Sequence, residues 1–204
     1  MEDVLDLYEE EYDEDYPVVC FDEKPFQMLG DARETIPASI GRKRRQDYEY
    51  TREGTCNLFV FLQPLKGWRH VKVTDRRTKR DFAQCMKEVV DHHFAEAEKI
   101  RLVMDNLSTH KLGSLYEVYS PEEARRIIRK IEIHYTPKHA SWLNMAEIEI
   151  SALTRECLGR RIPSQEVLQR EITACVKGRN KRNATVSWGF FSEEARIKMK
   201  HLYV

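Results

Sequence analysis

Three acidic side chains stand where hard oxygen ligands for a divalent cation would be needed. Asp22 closes the apolar run Val18-Val19-Cys20-Phe21, and Asp105 closes Ile100-Arg101-Leu102-Val103-Met104. Glu147 falls in Trp142-Leu143-Asn144-Met145-Ala146-Glu147, where the pattern turns helical. An acid that ends a buried strand projects from the sheet edge at which ligands of α/β proteins collect. Two such acids and a helical Glu make an all-oxygen set of the kind Mg²⁺ or Mn²⁺ accepts. An Asp after an apolar strand is also a common solvated turn residue or helix N-cap. Spacing alone leaves both readings open.

The elements that must carry these acids can be read from hydrophobic period. Residues 1–10 suit a short helix, and an acidic connector leads to a strand at 17–22. Residues 23–53 read as irregular, with Pro25, Gly30, Pro37 and Gly41. Alternation predicts strands at 55–62 and 68–74, joined by a hairpin through Pro64 and Gly67. Phe82, Cys85, Met86, Val89, Val90 and Phe94 predict a helix over 78–97. A buried strand follows at 100–104. Ser120-Pro121-Glu122-Glu123 starts a helix that runs to about Lys130, with a strand at 131–135 after it. Further helices are expected at 143–158, 164–178 and 193–202. The order β-β-β-α-β-α-β-α, with acids on the first and fourth strands, predicts an α/β fold: a ribonuclease-H-like mixed sheet flanked by helices.

Charge and composition narrow the partners. The chain has 204 residues, 41% of them hydrophobic, which suits one folded domain. No apolar run approaches membrane-spanning length and the start, Met1-Glu2-Asp3-Val4-Leu5, lacks the pattern of a signal peptide. A cytoplasmic protein is expected. The formal charge is zero, but residues 1–16 hold nine acids and no Lys or Arg. The remainder therefore sets 25 acids against 34 bases, a net +9. Basic runs at Arg42-Lys43-Arg44-Arg45 and at Lys177, Arg179, Lys181 and Arg182 are candidate phosphate contacts. Five singly scattered Cys predict free buried thiols. Neither His92-His93 nor the His134/His139 pair has the spacing of a zinc hydrolase motif.

Three blocks resemble those of DDE transposases. They are Val18 through Pro25, Leu102 through His110, and Tyr135-Thr136-Pro137-Lys138-His139-Ala140-Ser141-Trp142-Leu143-Asn144-Met145-Ala146-Glu147-Ile148-Glu149. The chain is most similar to the bacterial insertion-sequence branch of the mariner superfamily, over nearly its whole length. The resemblance assigns Asp22, Asp105 and Glu147 as catalytic, metal-holding acids. Helical geometry cannot choose between Glu147 and Glu149, because each flanks the apolar arc of Leu143, Ala146, Ile150, Leu153 and Cys157. The choice of Glu147 comes from the family block. Glu23, Asn106, His110 and Asn144 also match family positions, with positioning or capping roles.

The resemblance further implies two Mg²⁺ (or Mn²⁺) ions, cleavage of transposon ends, strand transfer into target DNA, and a homodimer during transposition. Full-length family members carry helix-turn-helix segments ahead of the catalytic domain, whereas about 21 residues precede Asp22. A longer or separate chain is expected to supply that domain. The expected organisation is an acidic leader at 1–16, a catalytic domain at 17–160 and a helical extension of it at 161–204. Two alternatives carry forward: a ribonuclease-H-like nuclease or resolvase that hydrolyses without strand transfer, and a retired transposase domain that only binds DNA or dimerises.

Overall fold

The structure, a computed structural model, describes residues 1–106, 111–138 and 140–200. Five strands form one mixed sheet in the order β3-β2-β1-β4-β5. They are β1 (Val18–Asp31), β2 (Tyr50–Gln63), β3 (Trp68–Thr74), β4 (Ile100–Met104) and β5 (Ile131–Tyr135). β1, β2 and β3 are an antiparallel meander, while β4 and β5 join parallel to β1. This is the ribonuclease-H-like architecture expected from the element order.

Side-chain alternation sorts each strand between two covering layers. Val19, Phe21, Phe59, Phe61, Leu102 and Met104 face helices α2 (Lys79–Glu88) and α3 (Pro121–Arg129). Val18, Cys20, Leu62 and Val103 face α1 (Glu2–Glu9), the start of α4 (Ala146–Leu153) and α6 (Ser192–Lys198). Farther along that second face, Phe26, Leu58, Val60 and Val71 pack against the end of α4 and against α5 (Gln165–Lys181). The helix starts follow capping chemistry. Thr78 and Asp81 form a reciprocal capping box on α2, and Ser120 with Pro121 opens α3.

Three differences from the sequence reading have physical causes. Residues 23–53 are not irregular throughout, because β1 runs to Asp31 and β2 begins at Tyr50. Their pairing continues past a bulge between Gln27 and Leu29. Polar residues and Pro25 are tolerated there because one side of this arm is exposed, while Phe26 and Met28 pack inward. The helices over 78–97 and 143–158 each end in a π-turn, Val89–His93 and Thr154–Leu158. Finally, the acidic first helix is built into the core, with Val4 and Leu5 fully buried. Its acids reach across the molecule: Glu2 pairs with Arg196 at 2.7 Å, Asp3 with His134 at 3.0 Å, and Asp6 accepts from Ser192 at 2.6 Å.

All five cysteines are free, four of them buried, as the odd count suggested. Among the described residues no helix is long and apolar enough to cross a membrane.

Candidate active site

Asp22 does not end its strand; it sits where the sheet forks. β1 pairs with β4 through Val18↔Arg101, Val19↔Leu102 and Cys20↔Val103, and β4 then stops at Met104. Continuing that register sets Asp22 level with Asp105. By alternation both lie on the face of Cys20 and Val103, the face covered by α4. Past the fork β1 continues with β2 alone, through Asp22↔Val60. The gap beside Asp22 is therefore a consequence of β4 being five residues long.

Asn144 fixes the third element to this point. Its buried amide donates to the Phe21 carbonyl at 2.7 Å, and its side-chain oxygen accepts from the Ala146 N–H at 3.1 Å. One side chain thus ties the backbone before Asp22 to the first turn of α4, which carries Glu147. Burial raises the Asp22 pKa from 3.8 to about 6; the Glu23 N–H donated to its carboxylate at 2.7 Å opposes this, and the charges of Asp105 and Glu147 raise it further. Asp105 and Glu147 thus act on Asp22 across the fork. Burial and these neighbouring charges disfavour the Asp22 carboxylate, and the donors here are all hard oxygens, a set that fits Mg²⁺ or Mn²⁺.

The structure separates Glu147 from Glu149. Glu147 is half-buried, whereas Glu149 is 1% exposed. Arg179 donates to both Glu149 oxygens, at 2.8 and 2.9 Å, and the buried Arg69 lies 3.1 Å from Oε1. Both carboxylate oxygens of Glu149 are occupied by guanidinium groups, so it serves as a strut between α4, α5 and β3. The buried arc of α4 takes in Ala146, Glu149, Ala152 and Leu153. It includes Glu149 because Arg69, distant in sequence, meets it there.

The remaining expected residues divide. The Glu23 side chain is nearly buried and accepts from Arg77 at 2.9 Å. Asn106 is exposed beside Asp105. His110 lies outside the described residues. Asp105 and Asn106 line a groove of about 790 Å³ together with Thr136, Lys138 and Ser141. Thr136 and Lys138 escaped the site reading, although a signal existed. β5 runs parallel to β4 with Met104↔Tyr135 paired, so the Thr136-Pro137-Lys138 segment leaves the sheet beside Asp105. Thr136 N–H donates to the Met104 carbonyl at 2.9 Å.

Of the basic residues expected to meet phosphate, Arg42, Lys43, Arg44 and Arg45 are exposed on the excursion between β1 and β2. Ile36↔Arg45 and Ser39↔Arg42 bridges close that excursion into a small hairpin. Lys177 and Lys181 are exposed on α5. Arg179, mostly buried, has its guanidinium engaged by Glu149 and Glu156. Arg182 also pairs with Glu156, at 3.2 Å, while remaining largely exposed.

Comparison with known proteins bears on this site. The sequence profile of the DDE superfamily endonucleases matches residues 17–169. Comparison with curated protein sequences finds no significant match. Among solved structures, the chain is similar to the Mos1 mariner paired-end complex with Mn at a TM-score of 0.58 and 12% identity. That match covers 89% of this chain and 55% of the other. It is also similar to the Mos1 transposase paired-end complex with left transposon end, at a TM-score of 0.56 and 12% identity, covering 82% and 51%. At this identity the likeness speaks for the fold. The chain spans about half the length of these structures.

Proposed function

Because the chain belongs to the DDE superfamily endonucleases, we propose that it is a transposase catalytic domain that cuts DNA and joins it by in-line phosphoryl transfer. The observation that supports this reading is the fork: the β1–β4 register runs Asp22 level with Asp105, and Asn144 ties the first turn of α4, which carries Glu147, to the strand at Phe21. Asp22, Asp105 and Glu147 are the metal-holding acids in this reading. Bound Mg²⁺ or Mn²⁺, as a pair of ions, supplies Lewis acidity to the attacking and leaving oxygens.

The chain's own residues do the rest. Asp22 would hold such an ion as its carboxylate, the form that burial and neighbouring negative charge disfavour. Asn144 keeps Glu147 at the fork, and the Glu23–Arg77 pair anchors the strand just beyond it. Lys138, on the rim of the groove beside Asp105, is suited to a phosphate oxygen of the scissile strand. The substrates are the ends of a mobile element and then target DNA, with two copies of the chain acting together. Residues 17–160 form the catalytic unit, 161–204 its helical extension, and a helix-turn-helix domain on a longer or separate chain reads the end sequence.

Incubation of the protein with supercoiled plasmid carrying element ends, with and without Mg²⁺, tests this. Nicked and strand-transfer products that vanish in Asp105→Asn and Glu147→Gln are expected. Nicking that persists in both variants overturns the assignment, and metal-dependent hydrolysis without strand transfer favours the nuclease or resolvase reading.

A further inference from the structure

A second group of ligating side chains lies across the sheet from the acids. Within the edge strand β3, alternation sends His70 and Lys72 to the α2 face, and Arg69 and Val71 to the other. On α2, Glu88 is the last residue before the π-turn Val89–His93. On a regular α-helix, residues 88 and 93 would point about 140° apart. Here the Phe94 N–H donates to the Val89 carbonyl at 2.9 Å, an i to i+5 bond, and the wider turn brings His93 round over Glu88. The π-turn is what makes Glu88 and His93 neighbours.

The ligand atoms of His70, Glu88 and His93 lie within 4.8 Å of one another. His70 Nε2 stands 3.3 Å from Glu88 Oε1. That separation is what two donors keep on a tetrahedral ion with bonds of about 2.0–2.1 Å. The Nε2 atoms of both histidines are buried and lack a hydrogen bond among the described residues. A buried polar atom without a hydrogen bond is destabilising. Two such atoms aimed at one carboxylate ask for a common partner.

The surroundings prepare the donors. Lys72 Nζ holds the other Glu88 oxygen at 2.6 Å, leaving Oε1 to turn toward the imidazoles. Trp68 stacks on His70 with ring centroids 6.4 Å apart and sits 5.0 Å from His93, which limits the rotation of both rings. Burial lowers the pKa of both histidines, so each is neutral near pH 7 and offers a lone pair. On the solvent side a cavity of about 350 Å³ reaches from His70 and His93 to Thr173 and Lys177 of α5, leaving room for a water as fourth ligand.

We propose that His70, Glu88 and His93 form a transition-metal site, suited to Zn²⁺, that staples the edge strand β3 to the π-turn after α2. Its two imidazoles distinguish it from the all-carboxylate site at Asp22, which prefers harder ions. It does not depend on the transposase reading.

The test titrates the full chain with Zn²⁺ in excess Mg²⁺, against a competing chromophoric chelator. Thermal melting and the visible spectrum of the Co²⁺-loaded protein are recorded in parallel. One Zn²⁺ per chain, a raised Tm and tetrahedral Co²⁺ absorption are expected. His70→Gln and His93→Gln should each weaken Zn²⁺ by tenfold or more, while Asp105→Asn leaves it unchanged. Should a His variant misfold by circular dichroism, histidine ring ¹⁵N shifts in the wild-type chain give the same answer. Only the His70 and His93 Nε2 signals should move on one equivalent of Zn²⁺. Uptake unchanged in both variants, signals that move on other histidines, or no Zn²⁺ effect on Tm or spectrum overturns the proposal.

Discussion

The two glutamates two residues apart on α4 illustrate how differently one residue type can be used. Glu147 stands half-exposed at the fork, and Glu149 is buried under two arginines. Glu147→Gln should therefore fold like the parent and lose Mg²⁺-dependent nicking. Glu149→Gln removes the charge between Arg69 and Arg179, and breaking a buried pair in this way costs about 3–5 kcal/mol. Chemical denaturation alongside a plasmid nicking assay should separate the two variants, one losing activity and the other stability. The same scale governs Asp22. Its folded pKa of about 6 exceeds the ordinary 3.8, so the folded chain binds a proton more tightly than the unfolded one. This group's contribution to stability is present below about pH 4 and is lost as pH rises through 6. Asp22→Asn should thus stabilise the metal-free protein at pH 7 by roughly 1–3 kcal/mol, with the gain fading toward pH 4. Melting curves in EDTA between those pH values check it, and added Mg²⁺ should erase the advantage.

At the scale of elements, the site depends on how a strand, a shorter strand and a helix are held in register. β4 stops before β1 does, which opens the fork, and Asn144 bolts α4 to the strand at Phe21. Asn144→Ala would leave the Phe21 carbonyl and the Ala146 N–H without these partners, at a cost of about 1–3 kcal/mol. The greater effect should fall on activity. A shift of α4 by about 1 Å displaces Glu147, and misplacement on that scale costs on the order of 10²-fold in rate. Single-turnover cleavage rates, measured where circular dichroism shows the variant fully folded, test this. A rate within twofold of the parent would mean that Asn144 does not position Glu147.

Across the whole molecule, charge is segregated but not loose. The acids of α1 are engaged with Arg196, His134 and Ser192, and its apolar face is part of the core. Removing residues 1–9 should destabilise the fold, because Val4, Leu5 and Leu7 are buried, and a lowered Tm of the truncated chain checks it. The exposed run Arg42 to Arg45 is a different matter. Replacing these four by Ala should weaken binding to end and scrambled duplexes alike and flatten the salt dependence, since phosphate contacts carry no base information. Fluorescence anisotropy at several salt concentrations reads both quantities. Arg179→Ala should instead lower Tm, because that guanidinium holds Glu149.

Period and punctuation in the sequence determined the order of elements. The apolar alternation of Leu58, Val60 and Leu62, the capping chemistry at Ser120, and the strand runs before Asp22 and Asp105 are local patterns, and local patterns dictate local geometry. The resemblance of three blocks then selected the acids. What remained hidden depends on contacts between distant segments. Nothing near Glu149 indicates that Arg69 and Arg179 will close over it, so helical period left it equivalent to Glu147. The continuation of β1 to Asp31 depends on β2 returning beside it and on the end of α4 and α5 covering Phe26 and Met28. The π-turn that brings His93 over Glu88 is likewise set by how the chain leaves α2 to reach β4. Sequence specified which residues could act, and packing between remote elements decided which of them are free to do so.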